Sequence, residues 1–266
     1  MTAIPLIIEA DDDDPDCATV MVDGTIADRS YRFVVDTGAI RTHLVDDIFT
    51  KSLPRCGQHV SSGVFGPDSN SVATLPNLVV GSMVRDSIEA VIVDARQVGA
   101  RNLLGMDVLQ AHQCRFDFDS EQLVVDGEQT HGVMLPLQMD VGSHPYVEVR
   151  WRDVIAHAIW DSGAGITVVS QDFWLQHSEM FSAAATTLGT DATGRQVEVP
   201  THMMAEVEIG GEVFVQHKVA VVDLSAANDD LDQPMDLLLG FTTLRQARWY
   251  FDFPRKAWSV TRYETS

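Results

Sequence analysis

An internal duplication is the feature that most constrains the fold of this 266-residue chain. The segment Phe-Val-Val-Asp-Thr-Gly-Ala at 33–39 recurs 125 residues later as Ala-Ile-Trp-Asp-Ser-Gly-Ala at 158–164. In both copies a threonine, Thr42 or Thr167, is the sixth residue after the aspartate. Because a repeat of this kind predicts two structural units of one design, it takes precedence over local patterns in assigning the fold.

Two further pairs of segments repeat in the same order. Asn-Leu-Leu-Gly-Met-Asp-Val-Leu at 102–109 matches Leu-Leu-Leu-Gly-Phe-Thr-Thr-Leu at 237–244, and Phe-Asp-Phe occurs at 116–118 and again at 251–253. These copies lie 135 residues apart, so the second half carries about ten extra residues between its first and second motifs. Three matches in one order predict two similar lobes.

Short β-branched runs bounded by Gly, Asp or Pro predict strands in both halves, and helical patterns are few. The predicted strands are 18–22, 31–35, 90–93, 146–151, 197–199 and 219–222, and the predicted helices are 108–113, 171–177 and 243–248. We therefore expect an all-β fold with short helices, built as an N-terminal lobe at 1–131 and a C-terminal lobe at 132–266. A break rich in Gly and polar residues separates the two lobes.

The composition limits the kinds of partner that the protein can bind and the cell compartment in which it is expected. With 39 acidic and 18 basic residues the net charge is -21, which disfavours nucleic acid and anionic membranes as partners. No apolar run approaches the ~18 residues of a membrane span and no secretory leader is recognisable, so we expect a cytoplasmic protein.

Cys17, Cys56 and Cys114 form no Cys-x-x-Cys pair, and the histidines lack metal-binding spacing. We expect no disulfide framework, no metal site and no cofactor.

Each repeated aspartate lies between an apolar strand and a glycine. A single Asp-Thr-Gly or Asp-Ser-Gly is commonly only a turn in which the carboxylate accepts from the backbone. If two lobes pack about a pseudo-two-fold axis, however, Asp36 and Asp161 meet at the centre, and Gly38 and Gly163 allow close backbone approach. Two adjacent carboxylates share one proton. Such a pair can activate water with its ionised member and polarise a carbonyl group with its protonated member.

On these residues the chain resembles the retroviral-type aspartic proteases, the retropepsins, over nearly its whole length. The matching segments are Asp36-Thr37-Gly38-Ala39 with Thr42, Asp161-Ser162-Gly163-Ala164 with Thr167, and the two Leu-Leu-Gly segments. The resemblance implies an aspartic endopeptidase whose lobes are linked beneath the dyad by hydrogen bonds of Thr37 and Ser162. Retroviral enzymes build this site from two identical subunits, whereas here one chain supplies both halves, as in the pepsins. We therefore expect a monomer that acts on a peptide or protein substrate.

The resemblance also implies where substrate binds. Residues after each aspartate are expected to contact the peptide: Ala39, Ile40 and Arg41 in one lobe, and Ala164, Gly165 and Ile166 in the other. Arg41 is predicted to favour an acidic substrate residue, with a structural ion pair as an equal alternative. Hairpin flaps are expected to cover the substrate with tips at Gly63, Val64 and Phe65 and at Thr190 and Asp191, with plain exposed loops as the alternative.

Two departures from the pepsins bear on function. No tyrosine lies between Cys56 and Ala73, where a pepsin-like flap would carry one, and alanines 39 and 164 stand where pepsins have a hydroxyl residue. A hydroxyl donor would lower the pKa of the ionised carboxylate, so the alanines predict an optimum nearer neutral pH and not below about 4. The main alternative is a non-catalytic module that holds a peptide in the cleft. An enzyme acting on its own N-terminus, regulated by the acidic stretch 11–16, is a third.

Overall fold

Strands make up most of the molecule, as the sequence predicted. The computed structural model describes residues 2–63, 66–127, 132–190, 196–229 and 231–263. Within these residues the helices are single turns or little more, and none is long and apolar enough to cross a membrane. The all-β expectation is therefore confirmed.

In the first half the strands are β1 (Thr2–Pro5), β2 (Ile7–Ala10), β3 (Ala18–Ile26), β4 (Arg29–Val35), β5 (His43–Val45), β6 (Arg55–Gly63), β7 (Gly66–Val80), β8 (Met83–Val93), β9 (Leu103–Leu104), β10 (Gln113–Asp117) and β11 (Gln122–Val125). A 3-10 turn (Thr50–Ser52) follows β5, and helix α1 (Met106–Leu109) follows β9.

In the second half the strands are β12 (Leu135–Pro136), β13 (Gln138–Met139), β14 (Pro145–Trp151), β15 (Val154–Trp160), β16 (Thr167–Ser170), β17 (Phe181–Thr190), β18 (Gln196–Met204), β19 (Val207–Ile209), β20 (Glu212–Phe214), β21 (His217–Val222), β22 (Leu237–Leu239), β23 (Ala247–Asp252) and β24 (Ala257–Arg262). The helices are α2 (Gln171–Gln176), α3 (Ser225–Asn228) and α4 (Phe241–Leu244), with a 3-10 turn at Ser178–Met180.

The helices after the two Leu-Leu-Gly segments begin and end earlier than predicted. We expected helices at 108–113 and 243–248, but α1 and α4 each end after four residues. The chain then enters β10 and β23, which pair with each other. Sheet pairing between the halves overrides the local helical pattern, because the inward-facing residues of these strands are buried there.

Each half builds its own sheet around the strand that leads into its aspartate. In the first, β4 runs parallel to β9, with Val35 opposite Leu104. In the second, β15 runs parallel to β22, with Trp160 opposite Leu239. The Leu-Leu-Gly segments therefore lie directly beside the strands that lead into the two aspartates, and the same parallel pairing occurs in both halves.

A third sheet joins the halves, in the order β1-β11-β10-β23-β24-β12. Its first three strands come from one half and its last three from the other, in mirrored order. Arg115 of β10 pairs with Tyr250 of β23, the residue at its repeat-equivalent position, so the pseudo-two-fold axis passes between them. The proposed lobe boundary between 131 and 132 stays a prediction, and residues 128–131 lie outside the described part of the chain.

An aromatic core packs on this shared sheet and holds β15, the strand that leads into Asp161. Trp160, the residue before Asp161, is fully buried, with its ring centroid 4.7 Å from those of both Phe116 and Phe251. Since Phe116 belongs to the first half and Phe251 to the second, the strand that carries Asp161 is held by both halves.

Candidate active site

Asp36 and Asp161 occupy equivalent positions at the ends of β4 and β15. The Asp36 backbone N–H donates to the Leu104 carbonyl at 3.0 Å, and that of Asp161 donates to the Leu239 carbonyl at 3.0 Å. Both residues are buried, with 7% and 8% of their surface exposed. A buried carboxylate loses the hydration of its charge, so it requires hydrogen-bond donors from the protein.

The two carboxyl groups meet across the lobe boundary. A Cβ atom at Gly163 would lie 2.4 Å from Cγ of Asp36, and one at Gly38 would lie 2.7 Å from Cγ of Asp161. Each carboxyl therefore lies against the glycine of the opposite loop, which leaves no room for a side chain there. Gly38 and Gly163 also donate their backbone N–H groups to Oδ1 of Asp36 and Asp161 at 2.9 and 2.8 Å.

Burial opposes the ionisation of both carboxyl groups of this pair. Burial, followed by the nearby Asp161 carboxylate, raises the pKa of Asp36 well above its ordinary value. Burial also raises the pKa of Asp161, against the lowering effect of the Gly163 N–H and of a hydrogen bond with Asp36. The two carboxyl groups therefore titrate as a unit, and the pKa of Asp36 is the one raised by its partner as well as by burial.

Thr37 and Ser162 link the two halves beneath the carboxyl groups. The Thr37 hydroxyl donates to the Trp160 carbonyl at 2.7 Å, and the Ser162 hydroxyl donates to the Val35 carbonyl at 2.6 Å. Each hydroxyl also accepts the other residue's backbone N–H, at 3.1 and 3.3 Å. Both side chains are buried, so this link excludes water and holds the two loops in register.

The sixth-position threonines tie each active loop to its Leu-Leu-Gly segment. The Thr42 hydroxyl accepts from the Gly105 N–H at 3.3 Å, and the Thr167 hydroxyl accepts from the Gly240 N–H at 3.0 Å. A Cβ atom at Gly105 would lie 2.5 Å from the Arg41 carbonyl carbon. These contacts explain why the repeat preserves a threonine and a glycine at these positions.

Sequence reasoning missed the side chains that hold those threonines. In the first half, both carboxylate oxygens of Asp107 accept from the Thr42 N–H, at 3.0 and 2.9 Å, and Oδ1 also accepts from its hydroxyl at 2.8 Å. Burial raises the pKa of Asp107, although the Thr42 donors oppose the rise. A polar residue inside the apolar stretch 103–109 was the signal that could have identified it.

In the second half a buried histidine completes the equivalent network. His217 Nδ1 lies 2.8 Å from the Val215 carbonyl, which can only accept, so Nδ1 carries the ring proton. Nε2 then accepts from the Thr243 hydroxyl at 2.7 Å, and Thr243 in turn accepts from the Thr167 hydroxyl at 2.7 Å. Burial lowers the pKa of His217 to about 4, which keeps the ring neutral.

The residues expected to bind substrate differ between the halves. Ile40 is 43% exposed, whereas Arg41 forms an ion pair with Glu89 at 3.1 Å, the structural alternative considered for it. Gly165 lies against the backbone of Ala18, where a Cβ atom would be 3.2 Å from the carbonyl oxygen. Ala39, Ala164 and Ile166 are partly buried against the apolar clusters of their own halves.

Two long hairpins lie between the first and second motifs, where flaps were expected. β6 pairs with β7 as far as Gly63 opposite Gly66, and β17 pairs with β18 as far as Thr190 opposite Gln196. The expected tip residues Val64, Phe65 and Asp191 lie outside the described residues.

Two family models match the chain in tandem. Residues 22–111 match the gag-polyprotein putative aspartyl protease family, and residues 147–243 match an aspartyl protease family. Each match contains one Asp-(Thr/Ser)-Gly loop and the Leu-Leu-Gly segment beside it. The chain belongs to the retropepsin-like aspartic proteases. A comparison with curated proteins found no significant match. Both matches lie in one polypeptide, one in each half of this retropepsin-like chain.

Proposed function

We propose that this retropepsin-like protein is an active aspartic endopeptidase, working as a monomer in the cytoplasm, with Asp36 and Asp161 as its catalytic dyad. The observation that carries the proposal is the buried carboxyl pair, in which each carboxyl lies against the opposite loop's glycine. A protein that only bound peptides would gain nothing from two buried carboxyl groups, whose pKa values are both raised by burial and, for Asp36, by Asp161 as well.

In the proposed reaction, ionised Asp161 takes a proton from a water molecule whose oxygen attacks the peptide carbonyl carbon. Protonated Asp36 gives its proton to the carbonyl oxygen as the tetrahedral diol forms. The Asp161 proton then passes to the amide nitrogen as the C–N bond breaks, and a diol proton returns to Asp36. The hydroxyl of water ends in the new carboxyl group and its proton in the new amine, so the dyad is regenerated.

The two hairpins are proposed to act as unequal flaps over an extended peptide. Their strands differ in sequence, and so do the residues after each aspartate, Ile40 and Arg41 against Gly165 and Ile166. A single chain can therefore distinguish the two sides of the cleavage point. Because Glu89 already pairs with Arg41, an acidic substrate residue would compete with Glu89 for the guanidinium.

The proposal is tested by incubating the purified protein with a diverse peptide library between pH 4 and 8, with and without pepstatin. Asp36→Asn and Asp161→Asn are compared with Asp94→Asn, a matched change at a surface carboxylate paired with Arg96. We expect cleavage by the wild type and Asp94→Asn, blocked by pepstatin, and none by either dyad variant. Cleavage that survives Asp36→Asn would contradict the proposal. Peptide binding without cleavage by the wild type would support the binding-module alternative.

A further inference from the structure

The strands that lead into the two aspartates each have an antiparallel partner, and the residues just beyond the end of each pairing differ between the halves. In the first half Met21 of β3 pairs with Val34 of β4, and in the second Tyr146 of β14 pairs with Ile159 of β15. Each of these is the last pair of its ladder on the side of the aspartate. Thr19 with Asp36, and His144 with Asp161, lie two residues beyond the last pair at the same end of the two strands. His144 is also among the groups whose charge acts on Asp161.

His144 is held firmly in this position. Its Nδ1 lies 2.7 Å from Oδ2 of Asp140, and its backbone N–H donates to Oδ1 of the same carboxylate at 2.8 Å. The ring is 13% exposed and Asp140 still less. On the other side, a Cβ atom at Gly142 would lie 2.8 Å from Cε1 of the ring and 3.2 Å from Cδ1 of Ile40. The ring therefore lies in the seam between its own loop and the active loop of the first half.

The charges around His144 are few. Asp140 faces it from its own loop and Asp161 from the end of β15, with Asp36 beyond Asp161. Asp232 accepts from the Val141 N–H at 3.1 Å in the same loop. The contact of this loop with α1 of the first half is neutral, since the Ser143 hydroxyl donates to the Gln110 side chain at 3.0 Å.

In the first half the position equivalent to His144 is held by the neutral Thr19, whose hydroxyl accepts from the exposed guanidinium of Arg101. Burial and then the Asp161 carboxylate are the leading influences on the pKa of Asp36, and both raise it. Burial raises the pKa of Asp161, and His144 acts against burial together with the Gly163 N–H and the hydrogen bond with Asp36. The two carboxyl groups of the dyad therefore lie in unequal electrostatic surroundings despite the repeat.

We propose that His144 is a positioning residue that keeps Asp161 ionised and so confines the shared proton to Asp36. A dyad with a fixed acid and a fixed base orients the peptide carbonyl toward Asp36, so the chain binds its substrate in one direction only. A symmetric pair of subunits has no such preference built into its site. The catalytic consequence rests on the proposed endopeptidase function, whereas the position of the proton does not.

The experiment is a carbon-13 NMR titration of the dyad, with aspartate labelled at Cγ and the two signals assigned from Asp36→Asn and Asp161→Asn. In the wild type we expect the Asp36 signal to titrate at higher pH than that of Asp161. His144→Gln should move the Asp161 transition to higher pH, whereas His144→Lys, which keeps a positive charge, should leave it low. Thr19→Gln, a neutral change at the equivalent position, should alter neither curve.

Identical dyad titrations in the wild type and folded His144→Gln would overturn the proposal. If His144→Gln fails to fold, His144→Asn is titrated in its place, and dyad titrations unchanged from the wild type would equally overturn the proposal. The acid limb of kcat/KM should follow the Asp161 transition. A wild type that cleaves nothing would refute the endopeptidase function and leave the dyad titration as a valid test.

Discussion

Thr37 and Ser162 hold each other across the boundary between the halves, each accepting the other's backbone N–H on its hydroxyl. Replacing Thr37 with valine keeps the shape but leaves the Trp160 carbonyl and the Ser162 N–H without a partner in a buried site. We expect the free energy of unfolding to fall by about 1–3 kcal/mol, the usual range for a buried group left unsatisfied. Urea unfolding measures the change.

Thr37→Ser is the matched control, because it retains the hydroxyl and loses only a methyl group. It should unfold at a urea concentration close to the wild type and keep peptide cleavage. Equal stability of Thr37→Val and Thr37→Ser would show that the hydroxyl link does not hold the halves together.

The carboxyl pair should make the folded protein less stable as pH rises. Because burial raises the folded-state pKa of both aspartates, and Asp161 raises that of Asp36 further, the folded state retains a proton that the unfolded chain has already released. Stability therefore falls as pH increases from the unfolded pKa, near 4, up through the raised folded value. Asp36→Asn removes this penalty, so we expect it to unfold at a higher temperature than the wild type at pH 7 and to gain little at pH 3.

Asp117 provides a control of opposite sign. Burial disfavours its charge, but hydrogen bonding to Arg248 at 2.7 Å outweighs burial and lowers its pKa. Its stabilisation is therefore present above the unfolded pKa and is lost as pH falls through the folded one. Asp117→Asn should lower the melting temperature at pH 7, where Asp36→Asn raises it. Calorimetry of both variants at pH 3 and 7 checks the pair, and a lower melting temperature for Asp36→Asn at pH 7 would contradict the expectation.

The parts of the site that repeat were predictable from the sequence. Asp36 and Asp161, with the hydroxyl residue and glycine after each, were recognisable because the pseudo-two-fold axis requires both halves to present the same loop. The all-β fold followed from the same repeat together with the short β-branched runs. The shared sheet could not be predicted in this way, because the pairing of β10 with β23 is a contact between the halves that no local pattern indicates.

The parts that differ between the halves were not predictable. Thr42 is held by a carboxylate, whereas Thr167 is held by Thr243 and through it by His217. Residues that differ between the two copies cannot be identified by comparing the copies. The extra length of the second half was evident from the sequence. The contact between α3 and β6, a strand of the hairpin in the first half, was not. Such contacts depend on how the two halves pack.

Buried His217 should destabilise the protein in mild acid. Burial lowers its pKa from an ordinary 6.5 to about 4, so between these values the unfolded chain binds a proton that the folded protein does not. Stability is therefore full above pH 6.5 and declines as pH falls, by about 3 kcal/mol at pH 4 from this group alone. His217→Gln removes the titrating group. We expect the difference in unfolding free energy between pH 7.5 and 4.5 to be smaller in this variant than in the wild type.

His112, whose side chain lies 3.0 Å from the exposed carboxylate of Asp126, supplies the comparison. His112→Gln should retain the full acid dependence attributed to His217. If His217→Gln lost stability in acid as steeply as His112→Gln, the buried ring would not be the source of the effect.

Ion pairs between the halves should stabilise the active cleft unequally on its two sides. The loop between β2 and β3 is bound to the second half by Lys218 with Asp14 and by Arg245 with Asp16, both at 2.8 Å. On the opposite side, the position equivalent to Arg245 is Gln110, which meets the loop between β13 and β14 through a neutral bond. The first contact is therefore sensitive to charge and salt, and the second is not.

Lys218→Met should lower the free energy of unfolding by about 1–2 kcal/mol, because the pair is more buried than an ordinary surface ion pair. Arg245→Met, at a more exposed pair, should lower it by less than about 1 kcal/mol, and 1 M NaCl should abolish that smaller loss. The Lys218 pair lowers the pKa of Asp14, despite the opposing effect of burial, so its contribution is present above the unfolded pKa and is lost as pH falls. Unfolding of each variant at low and high salt, at pH 7 and 3, checks both expectations. A Lys218→Met loss that persisted undiminished at pH 3 would show that packing of the lysine stem, and not its charge, joins the halves there.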